Sequence, residues 1–104
     1  MNAIVVGPDR GIAAALEGEG VEVTRIEGVA SGEKLADAGV EDAGLLVVTD
    51  AGEATAVPVA LELNEGLKTV AYTPDSMPEF VKAMLDFAID PAALSADAVA
   101  EELV

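Results

Sequence analysis

The chain has 104 residues, 52% of them hydrophobic, which suits one domain around a single core and leaves no room for a catalytic domain paired with a regulatory one. Its formal net charge of -15, from 20 Asp and Glu against five Lys and Arg, argues against unassisted binding to nucleic acid or anionic membranes. With no cysteine and no histidine, disulfides, thiolate metal sites, cysteine nucleophiles and histidine general bases are excluded.

Asn2 to Gly7 is a short continuous apolar run and predicts a buried strand; Ile12, Ala13 and Leu16 then recur at helical spacing until Gly18 and Gly20 stop the helix. Val21, Val23 and Ile26, alternating at first with Glu22 and Thr24, predict a second strand ending at Glu27-Gly28. A short helix over 31–38 follows, with Ser31 as cap, Leu35 inward and Gly39 as its stop. Gly44 to Thr49 reads as a central parallel strand covered on both faces. Because proline is tolerated in a first turn, the helix containing Pro58 starts near Thr55 and runs to about Asn64, with Val59, Ala60 and Leu63 inward. Asp50 to Ala54 is left as a loop at the carboxyl end of the third strand.

Thr69 to Thr73 predicts the fourth strand, Met77 to Leu85 a helix opened by Pro78, Phe87 to Ile89 a short fifth strand, and Ser95 the cap of a last helix to about Leu103. Such alternation predicts right-handed crossovers and a single α/β domain over 1–104: a five-stranded parallel sheet with helices on both faces. The expected strand order is the Rossmann-like 3-2-1-4-5, with the flavodoxin-like 2-1-3-4-5 as the alternative.

The most informative stretch is Ala3 to Gly11, where a buried strand enters a glycine turn and then a helix, the opening of a dinucleotide-binding unit. The fingerprint G-x-G-x-x-G is degenerate here, since Asp9 and Ile12 stand where its second and third glycines belong. A carboxylate at Asp9 would meet phosphate with a repulsion of about 4 kcal/mol at an effective dielectric near 20. In the competing reading Pro8-Asp9 turns the chain and caps the helix starting at Gly11. Glu27 lies 20 residues after Gly7, where the fingerprint places the acid that accepts from an adenosine ribose. Thr49-Asp50 and Tyr72-Thr73 end the third and fourth strands on the same side.

The succession Val5-Val6-Gly7, Arg10, Val23-Thr24-Arg25-Ile26-Glu27, Leu35 to Val40 and Leu45 to Asp50 resembles the N-terminal domain of RCK proteins, the Trk-type regulators of potassium conductance. The resemblance implies a Rossmann fold that binds NAD(H) or another adenine nucleotide, dimerises, and passes ligand state to a membrane transporter or a separate regulatory chain. Its cofactor-binding residues would be Gly7, Asp9, Arg10, Gly11, Glu27, Thr49, Asp50, Tyr72 and Thr73, with Arg10 near the phosphates. Short haloarchaeal chains of this kind are sometimes called CTP synthetase, but that activity needs a Cys–His pair and a phosphate-gripping loop, and G-x-x-x-x-G-K-[ST] is missing here.

No catalytic constellation or metal cluster is legible; Asp50 and Glu53 read as a solvated loop. The alternative to nucleotide sensing is an interaction or dimerisation module that has lost the phosphate site, using Met77, Phe80, Val81 and Met84 at helical spacing. No apolar run approaches the ~20 residues that span a bilayer, so the chain is expected to be cytoplasmic, without direct membrane insertion.

The acids are spread along the chain rather than gathered in a tail, and only 3% of residues are aromatic, a composition pointing to a halophilic, archaeal proteome. In molar salt the Debye length falls to about 3 Å, so mutual repulsion among these carboxylates is screened. The thermal midpoint should therefore rise steeply from dilute buffer to molar KCl. A midpoint that does not change with salt would contradict this.

Overall fold

The computed structural model describes residues 1–104 and runs β1 (Asn2–Val6), α1 (Ile12–Gly18), β2 (Glu22–Ile26), α2 (Gly32–Asp37), β3 (Leu45–Val48), α3 (Ala56–Leu63), β4 (Lys68–Tyr72), α4 (Glu79–Lys82), β5 (Phe87–Ile89) and α5 (Ala96–Leu103). All five strands join one parallel sheet, as the alternating pattern requires, in the order β2-β1-β3-β4-β5. The expected order 3-2-1-4-5 is corrected here: β1 pairs with β3, from Ala3 opposite Leu45 to Val6 opposite Val48.

Burial explains the order. β3 is Leu-Leu-Val-Val and wholly buried, which is tolerable only for a strand with neighbours on both edges and helices on both faces. β2 exposes Glu22, Thr24 and Arg25 and suits an edge. The rejected order would have put β3 at the edge and β2 inside.

Alternate side chains of the central strands enter two cores. Ile4, Val6, Leu46, Val48 and Ala71 pack beneath α2, α3 and α4 with Leu35, Val57, Ala60 and Val81. Ala3, Val5, Leu45, Val47, Val70 and Tyr72 pack beneath α1 and α5 with Ile12, Leu16, Val99 and Leu103.

Ser31 and Ser95 cap their helices as expected, accepting from the amides of Lys34 and Ala98, both at 3.2 Å. Thr55 precedes α3 but makes no side-chain cap, and Leu63, expected inward, is 38% exposed at that helix's end. Asn64 ends α3 instead with a brace: its Nδ2 donates to the carbonyls of Val40 and Ala43, both at 2.9 Å, and its Oδ1 accepts from Gly66. Two 3₁₀ turns, at Val40–Asp42 and Ala51–Glu53, were not legible as elements.

The helix expected over 77–85 shrinks to the four residues of α4. Of its four spaced apolar residues, Met77 and Val81 reach the core while Phe80 and Met84 are 55% and 40% exposed. The chain then turns towards β5, where Thr69 Oγ1 donates to the Met84 carbonyl and Asp86 Oδ2 accepts from the Thr69 amide. No helix is long and apolar enough to cross a membrane.

Leu46 is fully buried at the centre of the sheet. Leu46→Ala should cost about 2–5 kcal/mol in denaturant unfolding in molar KCl. A loss under about 1 kcal/mol would contradict a close-packed site.

Candidate functional site

In a doubly wound sheet the ligand crevice opens at the carboxyl ends of the strands, where neighbouring chains leave towards opposite faces. Here that point lies between β1 and β3, since α1 packs on one face and α3 on the other. The two departing loops are tied to each other. Buried Thr49 donates its hydroxyl to the Pro8 carbonyl at 2.6 Å, and its amide donates to Val6 at 2.9 Å. Arg10 Nε donates back to the Thr49 carbonyl at 2.8 Å.

Gly7 is required by this closeness. Its φ of +111° disfavours an L side chain, and a Cβ would stand 2.5 Å from Thr49 Oγ1. Gly11 N donates to Asp9 Oδ1 at 2.7 Å, so the side chain expected to repel a phosphate instead occupies the amide that would have bound one. This is the turn-and-cap reading of Pro8-Asp9, with α1 starting one residue after Gly11.

Asp50 extends β3 and is half-buried; its Oδ1 accepts from Gly52 N at 2.8 Å, which starts the 3₁₀ turn. Tyr72 is buried in the core under α5 and donates its hydroxyl to the Leu94 carbonyl at 2.8 Å. Burial raises its pKa above the ordinary 10.0; Arg10 opposes the shift and Asp90 adds to it. Thr73 is buried, and its Oγ1 accepts from Asp75 N at 3.3 Å.

No single surface hollow takes in all nine candidate residues. Arg10 and Thr49 are joined by a hydrogen bond beside the first turn, while Gly7 is bonded to the end of β2, its amide donating to Ile26 and its carbonyl accepting from Arg25. Glu27 is exposed beside Arg25, 3.7 Å from its Nη1, in a shallow hollow that also includes Lys34 and Asp37. Thr73 lines a separate hollow of about 370 Å³ with Ser76, Lys82 and Asp90. None of the four surface hollows is lined by both the Gly7–Gly11 turn and Thr49-Asp50. Asp90, which ends β5 and accepts from Ala92 N at 2.8 Å, was missed as a strand-end carboxylate; its signal was the Ile89-Asp90-Pro91 exit from a strand.

The chain matches the family of unknown function DUF7126 over residues 3–103, and it belongs to that family. No curated protein matches it. Among solved structures it is similar to an orphan response regulator of H. pylori (TM-score 0.75, 17% identity, 99% of this chain and 92% of that one). It is also similar to a CheY-like response regulator receiver domain protein of Methanospirillum hungatei (TM-score 0.68, 22% identity, 99% and 90%). A third similar structure, from Burkholderia pseudomallei, is described as pilus assembly-related (TM-score 0.67, 22% identity, 99% and 86%). At these identities the likeness shows the fold.

These neighbours overturn the RCK resemblance, and with it NAD(H) sensing and potassium-transport regulation. A buried strand, a tight turn and a helix open doubly wound sheets generally, so the quoted segments do not single out an RCK domain.

Tyr72 is the chain's one tyrosine, so its titration is directly readable. Since its pKa is raised on folding, its contribution to stability holds below about pH 10 and is lost as pH rises through the folded value. The alkaline absorbance midpoint should be higher in folded than in unfolded protein. Tyr72→Phe should remove that pH-dependent component and cost about 0.5–1.5 kcal/mol from the lost hydrogen bond to Leu94. Coincident midpoints would contradict the burial.

Proposed function

We propose that this member of DUF7126 is a regulatory domain of the receiver type, whose signal is carried by docking to a separate chain rather than by metal-assisted phosphoryl transfer at its strand ends. The supporting observation is the state of the crevice around Asp50. In the fold shared with response regulators, Asp50 stands at the switch point between β1 and β3. It is the half-buried strand-end acid, whereas Asp9 and Asp90 are exposed.

Moving a phosphoryl group onto a carboxylate brings anions together, and needs a cation or preorganised donors where charge develops. Asp9, Asp50 and Asp90 each accept from an amide two residues ahead, so each carboxylate is committed to its own turn. The arginines reaching the first turn are engaged with backbone: Arg10 with the Thr49 carbonyl, and Arg25 with the Gly7 carbonyl at 3.1 Å. Lys82, on the Thr73 hollow, is 3.2 Å from Glu79. No three acidic side chains gather in a form that would hold a metal ion. The geometry favours a fixed turn over a reaction centre.

Incubation with acetyl phosphate and Mg²⁺ in molar KCl, followed by intact mass measurement, tests the reading. The expected result is no phosphoryl adduct. A stoichiometric adduct that Asp50→Asn removes would overturn it in favour of a phosphorylated receiver.

A further inference from the structure

Besides Tyr72, the buried residues with polar side chains are Thr49, Thr69 and Thr73. Thr49 and Thr69 each donate a hydroxyl to a backbone carbonyl, of Pro8 at 2.6 Å and of Met84 at 2.8 Å. Thr73 is as deeply placed, at 5% exposed, yet its hydroxyl donates to no protein group; its Oγ1 only accepts from Asp75 N at 3.3 Å. A buried hydroxyl hydrogen without an acceptor is costly, and folded proteins rarely leave one so. Thr73 lines the hollow of about 370 Å³ at the carboxyl ends of β4 and β5, so its acceptor must enter from outside the chain.

That hollow exists because α4 is short. The helix covers only Glu79–Lys82, and beside it Ala88 of β5 lies exposed, paired in register with Ala71 of β4, so that two methyl groups make a small apolar floor. Small-molecule sites are clefts of ~300–1,000 Å³ with an apolar surface and a few placed polar groups. Around this floor stand the hydroxyls of Thr73 and Ser76, the ammonium of Lys82, and the carboxylates of Asp75 and Asp90. Glu79, 3.2 Å from Lys82, does not line the hollow, and an exposed pair of that kind holds its lysine weakly.

The mixture of charges selects the occupant. A simple anion would satisfy Lys82 and Thr73 but meet two carboxylates. A simple cation would satisfy the carboxylates but meet Lys82 and leave the Thr73 hydrogen without an acceptor. A molecule that carries both signs satisfies every group.

We propose that the β4–β5 hollow binds a small zwitterion, an aliphatic α-amino acid. Its carboxylate accepts from Thr73 and Lys82, its ammonium meets Asp75 and Asp90, and its side chain lies on Ala71 and Ala88. The inference goes beyond the regulatory reading and fails separately from it, because Asp50 does not line this hollow. A phosphoryl adduct at Asp50 would leave the amino-acid site standing, and absence of binding here would leave the mass measurement unaffected.

The test is an amide NMR titration of the full chain in molar KCl with L-leucine, N-acetyl-L-leucine, which lacks the ammonium, and L-leucinamide, which lacks the carboxylate. Leucine should give saturable shifts confined to 71–77, 82 and 88–90, and each derivative should bind about tenfold more weakly. Lys82→Gln should weaken leucine about tenfold and leave leucinamide unchanged, whereas Asp90→Asn should weaken leucine and leave N-acetyl-leucine no weaker. Ala88→Val fills the floor from an exposed strand position and should abolish the shifts at an unchanged thermal midpoint. If that midpoint falls, the exposed Lys82 and Asp90 variants decide. Equal binding of the three compounds, shifts elsewhere, no saturation by about 100 mM leucine, or undiminished leucine binding by Lys82→Gln would overturn the inference.

Discussion

The approach of Thr49 to the turn after β1 is the contact on which the architecture depends. A buried hydroxyl bonded at 2.6 Å to the Pro8 carbonyl leaves no space for a side chain at Gly7, and the positive φ there sends the chain out to α1. Meanwhile β3 continues through Asp50 into a 3₁₀ turn and α3 on the opposite face. Two strands pair along their length and their chains part at one point. In other doubly wound proteins that parting is the ligand crevice; here Thr49 and Arg10 bridge it with bonds to backbone, and Asp9 closes the first turn on itself through the Gly11 amide.

The remaining freedom is consequently at the sheet's edges, which are managed differently. β2 exposes Glu22, Thr24 and Arg25, with Glu27 just beyond its end, a polar guard against pairing with another chain. β5 carries Phe87, Ala88 and Ile89 without a charge, and the loop to α5 adds an exposed Leu94. Tyr72 ties β4 to that loop, since its ring packs in the core and its hydroxyl donates to the carbonyl of that same Leu94.

Much of the fold was legible because local pattern and tertiary demand agree. The apolar runs at 2–6 and 45–48 became the central strands, and Ser31 and Ser95 became caps. Strand order was lost because periodicity treats each strand alone; the contrast between polar Glu22–Arg25 and apolar Leu45–Val48, weighed as edge against centre, decides it. The long helix over 77–85 failed because only Met77 and Val81 have core to fill, and 83–86 must turn the chain into β5. The candidate residues do lie at the carboxyl ends of the strands or in the turns that follow them. They were assigned to one ligand because sequence cannot show that Asp9 and Arg10 bond to backbone, or that Glu27 points to a different hollow.

The central claim, a switch-point crevice closed on itself with the free surface at β5, is tested most directly by amide hydrogen exchange in molar KCl. The account predicts that Gly7 and Thr49, whose amides donate to Ile26 and Val6, exchange nearly as slowly as the interior of β3, while Ala88 exchanges quickly. Loop-like exchange at Gly7 and Thr49, with Ala88 as protected as Val47, would contradict it.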